Sequence, residues 1–295
     1  MKVKTECAEC LIKRAVKEID LATSDEKTKI KAIKEIFKMA CNGFNKEAVP
    51  ADLGTRRYRL IKKVTGAGDY YRGLKQRANK YAMKIVDKLR LQIEASQDMY
   101  QRFRLAALAA IAGNSMEFFV LGNDFQIQEI DRILDNSEAE LAVDEISEIY
   151  QLAKSGANIL YLTDNAGEIA FDTLLVEQLK LLGVDVTVAV KKSPIMNDAI
   201  LEDAEMVKMP SYATRVITTG SSSVGLAPSE CSPILMQLLE SSDLIVAKGM
   251  GYYETLGEIK LNRPVAILLR TKCKPVAENI GVPQNKNVAK IIRPE

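Results

Sequence analysis

Residues 158–172, NILYLTDNAGEIAFD, decide the fold. The apolar run from Ile159 to Leu162 has almost no polar interruption, the pattern of a parallel strand covered on both faces. It stops at Asp164-Asn165, and the small Ala166-Gly167 pair leads into a helical segment. An acid and an amide therefore stand where a buried strand hands over to a helix. In an open parallel sheet, ligands bind outside the carboxyl ends of the strands.

The same pattern recurs downstream. VDVTVAV (184–190), TRVITT (214–219), SDLIVA (242–247) and PVAILL (264–269) are further apolar runs. Helical segments such as FDTLLVEQLKLLG and ILEDAEMVK lie between them. Strands alternating with helices predict βαβ units and a doubly wound α/β/α arrangement, Rossmann-like, with a mostly parallel sheet. The first half reads differently. CLIKRAVKEIDLA, KTKIKAIKEIFKMA and LKQRANKYAMKIVDKLRLQI carry helical periodicity, with breaks at NGFNKEAVPADLG and VTGAGDYY. RFRLAALAAIAGN is an apolar helix stopping at Gly113-Asn114. The expected organisation is a helical domain over 1–125, a helical bridge over 126–156 and the α/β/α domain over 157–295.

Composition narrows the chemistry. The chain has 295 residues, is 47% hydrophobic and 27% charged, and carries a formal charge of +2. That balance gives no reason to expect a nucleic-acid or anionic-membrane partner. MKVKTECAEC lacks a signal-peptide apolar region and no apolar run reaches membrane-spanning length, so a cytoplasmic protein is expected. No feature of the sequence sets an oligomeric state. The chain has no histidine, which removes Ser-His-Asp and Cys-His nucleophile systems and the commonest ligand of zinc and non-haem iron. A metal held by side chains must then use Asp, Glu, Asn or cysteine, which favours hard, oxygen-ligated ions. The cysteines, Cys7, Cys10, Cys41, Cys231 and Cys273, are odd in number and do not suggest a disulfide framework. Cys7-Ala-Glu-Cys10 is a CxxC without a second pair. Its spacing also fits two thiols sharing a helix face by chance.

The strand ends gather polar groups. The first runs into Asp164, Asn165 and Glu168, and the second leads through Lys191 and Lys192 to Asn197-Asp198. The third ends in Gly220-Ser221-Ser222-Ser223 and the fourth in Lys248-Gly249, followed by Tyr252, Tyr253 and Glu254. The fifth leads to Arg270, Thr271, Lys272 and Cys273. Each has a plainer reading: Asp164-Asn165 and Asn197-Asp198 as helix caps, Gly220–Ser223 as a turn, Lys248 and Lys272 as surface charge. Taken together, Asp164, Asn165 and Asp198 could supply oxygens to a divalent ion. Lys272 or Lys248 would neutralise phosphate oxygens, and backbone N–H groups at Gly220-Ser221 and after Asn165 would cradle an anion. That set favours phosphoester hydrolysis. The turn TDNAGEIA is not the GxGxxG of a dinucleotide or methyl-donor site, and no phosphate loop of the form GxxxxGK followed by Ser or Thr occurs.

Several blocks in order resemble the metal-dependent damage-control phosphatases, formerly domain of unknown function eighty-nine. They are YLTDNAGEIAFDTLLVEQL, PIMNDAILEDA, SDLIVAKGMGYYETL and RTKCKPVAENIGV. In the helical half, the CxxC typical of the prokaryotic branch, PADLGTRRYRLIKKVTGAGDYYRGLKQRANKYA and AALAAIAGNSMEF extend the likeness. The resemblance implies a helical domain joined to a Rossmann-like one. It also implies a divalent metal (Mg²⁺ or Mn²⁺, with Co²⁺ or Ni²⁺ as alternatives) on Asp164, Asn165 and Asp198, and a phosphate-contacting Lys272. The implied substrate is a small phosphorylated metabolite, such as a sugar phosphate. Glu168 or Asp198 would accept the proton of the attacking water, and Gly220, Ser221, Lys248, Asn114 and Glu117 would bind substrate. Two positions depart from the family pattern: Glu117 stands where Asp is usual after Gly-Asn, and KGMGYYE replaces KGQGNYE. Some relatives are described as protein carboxyl methyltransferases, which keeps a methyl-donor enzyme as the alternative, with a non-catalytic metabolite-binding or thiol-sensing module beside it.

Overall fold

The computed structural model describes residues 1–114 and 133–294. Four long helices open the chain: α1 (Glu6–Ala22), α2 (Glu26–Gly43), α3 (Pro50–Thr65) and α4 (Arg72–Ala95), and α5 (Met99–Gly113) follows. Asp25 caps α2 through the Thr28 N–H at 2.9 Å, and Asp98 caps α5 through the Gln101 N–H at 2.7 Å, as the four unpaired N–H groups of a helix start require. Leu11, Ala15 and Ile19 of α1 point inwards at helical spacing. Ala15 and Ile19 meet Ala32, Ile36 and Ile61 in a small core of α1, α2 and α3. The break expected across residues 42–54 is shorter than the Pro-Gly content suggested. Pro50 occupies the first turn of α3, where its missing N–H costs nothing.

The second half builds a seven-stranded sheet among the described residues, in the order β1-β7-β6-β5-β2-β3-β4. Its strands are β1 (Leu141–Asp144), β2 (Asn158–Leu162), β3 (Asp185–Val190), β4 (Arg215–Thr218), β5 (Leu244–Lys248), β6 (Val265–Arg270) and β7 (Asn287–Ile292). All pairs are parallel except β6 with β7. The five expected strands are present. β1 and β7 were not expected, and β1 corrects the reading of 126–156 as wholly helical: α6 (Ile133–Ala139) and α7 (Ile146–Ser155) flank a strand. The remaining α-helices among the described residues are α8 (Glu168–Leu181), α9 (Leu201–Met206), α10 (Pro233–Ser241), α11 (Gly249–Leu256) and α12 (Lys274–Ile280).

Alternation along β2 shows why its apolar run is continuous. Ile159 and Tyr161 pack into the layer containing α4, α5, α7 and α8, whereas Leu160 and Leu162 pack into the opposite layer with α10 and α11. Burying each such side chain stabilises the fold by roughly 1.5–3 kcal/mol. α5 and α8 cross closely at Gly113, where a Cβ would stand 2.9 Å from the Phe171 side chain. A larger residue there would push α5 off α8, and Asn114 at its end with it. The α1–α3 unit reaches the loop after β3 through Tyr58, which packs on Ile195 and Met196.

Candidate active site

Neither pair of strand-end polar residues serves as a helix cap. α8 begins at Gly167 without a side-chain cap, and α9 begins at Ile200, whose N–H is received by Asp203 Oδ2 at 3.0 Å. Asp164-Asn165 and Asn197-Asp198 instead lie against each other. Asn165 and Asp198 form an antiparallel bridge, flanked by Ala166 N–H to Asn197 O and Ala199 N–H to Asp164 O, both 2.8 Å. This backbone lock brings the two acids into one cavity of about 220 Å³, whose wall includes Asp164, Asn165, Asn197, Asp198 and Lys272.

The Asp164 carboxylate is held from three sides. Its Oδ2 accepts Nδ2–H bonds from Asn165 at 2.7 Å and Asn114 at 3.1 Å. On the third side lies Gly249, with φ +79, where a Cβ would collide with that same oxygen. Only glycine combines this backbone conformation with so close an approach. Asn165 Nδ2 also donates to Glu168 Oε2 at 3.0 Å. Because only an amide NH₂ can serve two carboxylates, Oδ1 is left as the acceptor of Asn165.

Beneath this layer runs a buried charge network. Lys248 Nζ, 0% exposed, contacts Glu168 Oε1 and Asp172 Oδ1 at 2.7 Å each and donates to Ala110 O at 2.9 Å. Burial opposes the Lys248 charge, but the two carboxylates outweigh it and raise its pKa. Burial pushes Asp172 upwards despite the lysine, with the negative Glu168 adding to the effect. Tyr161 donates to Asp172 Oδ1 at 2.7 Å, and Asp172 Oδ2 has no hydrogen-bond partner among the described residues. Asn114 ties the layers together: Nδ2 serves Asp164 and Glu168, and Oδ1 accepts the Arg270 N–H at 3.2 Å.

These contacts redistribute the expected roles. Asp164, Asn165, Asp198 and Lys272 are brought together at the cavity. Lys248 is not placed to touch substrate, because its ammonium is spent inside the protein on Glu168 and Asp172. Glu168 is likewise fully buried, with both oxygens engaged by Lys248, Asn114 and Asn165. Asn114 orients Asp164. Gly220 and Ser221 lie outside the cavity wall, and Ser221 Oγ is bonded to Ser223 and Glu230. Glu117 falls outside the described residues.

Three residues of the site were named in the sequence only as neighbours. Lys191 directly follows β3 and is buried. Its Nζ donates to Gly225 O at 2.6 Å and to the Tyr252 hydroxyl at 3.2 Å, lies 4.4 Å from the Tyr252 ring centre and is 3.7 Å from Asp198 Oδ2. Asn197 lines the cavity with a buried Nδ2 that finds no partner among the described residues, an open donor for a ligand oxygen. Glu254 of α11 lines the same cavity, and burial pushes its carboxyl up to about 7, against nearby positive charge that includes Arg14. The signal was position: Lys191 directly follows β3, Asn197 lies in the loop after it, and Glu254 lies on α11, which leaves β5.

The helical half clamps the loop that carries Asp198. Arg57, paired with Glu18 at 2.6 Å, reaches Met196 Sδ at 3.0 Å. Lys75 and Asn79 hold Asp203 at 3.2 and 2.8 Å, and Asn79 Oδ1 accepts the Gly167 N–H at 2.6 Å. One amide side chain thus braces both halves of the bridge.

Among the described residues, no three His, Cys, Asp or Glu side chains converge as a metal cage. The available set is two carboxylates and an amide oxygen. This suits a hard cation that keeps several waters and is completed by substrate phosphate, and it does not suit a closed structural site.

Comparison with known proteins shows which family and fold the chain shares. Residues 3–288 match the model of the damage-control phosphatase ARMT1-like domain. An uncharacterized protein of Methanocaldococcus jannaschii is 40% identical over 98% of this chain and 95% of its own length. A damage-control phosphatase of Archaeoglobus fulgidus is 34% identical over 99% of this chain and 100% of its own. The crystal structure of a DUF89 family protein from Pyrococcus horikoshii superposes with a TM-score of 0.88 at 31% identity, covering 100% of both chains.

Proposed function

We propose that this chain, which belongs to the damage-control phosphatase ARMT1-like family, hydrolyses phosphoric monoesters of small metabolites with the help of a divalent cation. Phosphatase activity in metabolite damage control is what its relatives' names support. Metal dependence and substrate class are our reading of the site. The observation that carries it is the Asn165–Asp198 bridge, at a cavity whose wall also includes Asp164 and Lys272.

Asp164, Asn165 and Asp198 would hold the cation. Bound there, a divalent ion such as Mg²⁺ or Mn²⁺ would polarise a phosphoryl oxygen and make water more acidic. The rest is done by side chains. Lys272 offsets the phosphate charge, and the unpartnered Asn197 Nδ2 offers a hydrogen bond to a phosphate oxygen. Of the two candidate proton acceptors, Asp198 lines the cavity and Glu168 does not, so Asp198 would accept the proton of the attacking water. Asn114 and the Lys248 network keep Asp164 and Asn165 from rotating away.

The test is phosphate release from a panel of phosphorylated metabolites with Mg²⁺, Mn²⁺, Co²⁺ or Ni²⁺. Turnover is expected with at least one pair, lost on chelation and absent in Asp164→Ala. Turnover by Asp164→Ala at the parental rate would reject the assignment.

A further inference from the structure

The same cavity has a second chemical character in its thiols. Cys7, Cys10 and Cys273 all stand on its wall. They come from two elements: α1 supplies the first two, and Cys273 is the residue on which α12 starts. The ion pair of Glu6 with Lys274, 3.4 Å apart, fastens these two helix starts together. Cys273 directly follows Lys272 in the chain. All three are free thiols, and Cys10 is the exposed one. Burial pushes Cys7 up and Cys273 to about 11, so these two hold their protons more firmly. Nothing in the phosphatase reading uses these thiols.

We propose that Cys10, with Cys7 and Cys273, forms a thiol–disulfide exchange site that takes small-molecule disulfides and blocks the catalytic cavity when oxidised. Cys10 gives its proton to solvent, and its thiolate attacks one sulfur of a disulfide RSSR. The S–S bond breaks, and RS⁻ departs and is protonated. Cys7 or Cys273 then loses its proton and attacks the Cys10 sulfur, expelling the second RS⁻. Two protein thiols become one disulfide, and RSSR becomes two RSH. The mixed disulfide stands in the cavity, and a bridge to Cys273 ties the Lys272 turn to α1. The loss of turnover rests on the proposed phosphatase activity, whereas the thiol chemistry does not.

The experiment exposes the metal-loaded full chain to oxidised glutathione, then to dithiothreitol. It reads peptide mass maps and phosphate release in parallel. Glutathionylation of Cys10, or a bridge from it to Cys7 or Cys273, is expected, with release lost and then restored by the reductant. Cys10→Ser should keep its own untreated rate throughout, and Cys41→Ser, which alters an exposed thiol on α2, should respond like the parent. Labelling confined to Cys41 or Cys231, or an oxidised Cys10 with undiminished release, would overturn the proposal. A chain that releases no phosphate under any condition sinks the phosphatase reading, and the mass map alone then decides whether the thiol site exists.

Discussion

Asn165 and Asp198 pair as neighbours across an antiparallel bridge, although α8, β3 and the loop after it separate them in the chain. The bridge is made by main chain, so its geometry survives changes to the side chains. Asp198→Asn should therefore leave the fold intact and remove the proton acceptor together with a ligand charge. Unchanged circular dichroism with phosphate release near background is the expected pair of results.

Lys248 is the only cation bonded to both Glu168 and Asp172 among the described ion pairs. Lys248→Met strands two carboxylates in the interior, and breaking a buried pair in this way costs about 3–5 kcal/mol. Urea denaturation should show that loss. Glu168→Gln with Asp172→Asn, added to Lys248→Met, should recover part of the stability without recovering activity. Recovery of full activity would mean that the network does not position Asn165.

Gly249→Ala tests the contact under Asp164. The new Cβ meets the carboxylate oxygen at a positive φ, so either the backbone or Asp164 must shift. Left-handed backbone costs an alanine about 1–2 kcal/mol, and a displacement of about 1 Å in a catalytic group can cost on the order of 10²-fold in rate. Kinetics should show the larger effect, mainly in kcat, while denaturation shows the smaller.

Glu254 gives stability a pH signature. Its folded pKa, about 7, lies above its ordinary 4.5 because burial disfavours the charged form. Between those values the folded state binds the proton more tightly than the unfolded chain. Stability is therefore greatest below 4.5 as far as this group is concerned, and falls as pH rises towards 7. The loss approaches about 3 kcal/mol at 1.36 kcal/mol per pKa unit. Urea unfolding at several pH values should show a smaller decline in Glu254→Gln than in the parent.

The sequence made the central strands legible because β2, β3, β5 and β6 are buried on both faces and so read as unbroken apolar runs. β1 escaped because its residues alternate between half-buried and exposed and include Asp144. β7 escaped because Lys290 interrupts a short run near the end of the chain. At the site, Asp164, Asn165, Asp198 and Lys272 were legible from their places after strands. The roles of the lysines were not. Lys248 ends a strand and Lys191 follows one, just as Lys272 does, but burial directs the first two inwards, against Glu168 and Tyr252. Nothing in residue type distinguishes a lysine that faces phosphate from one that neutralises a core carboxylate. Asn114 was read as a substrate contact, and its part in aiming Asp164 depends on α5 ending against α8.

Titrating Mn²⁺ into the parent, Asp164→Ala and Asp198→Ala, with the free ion followed by paramagnetic resonance, tests the central claim most directly. One tight ion per parent chain is predicted, lost in both variants while their circular dichroism is retained. Parental affinity in either variant would show that the two acids do not share a cation.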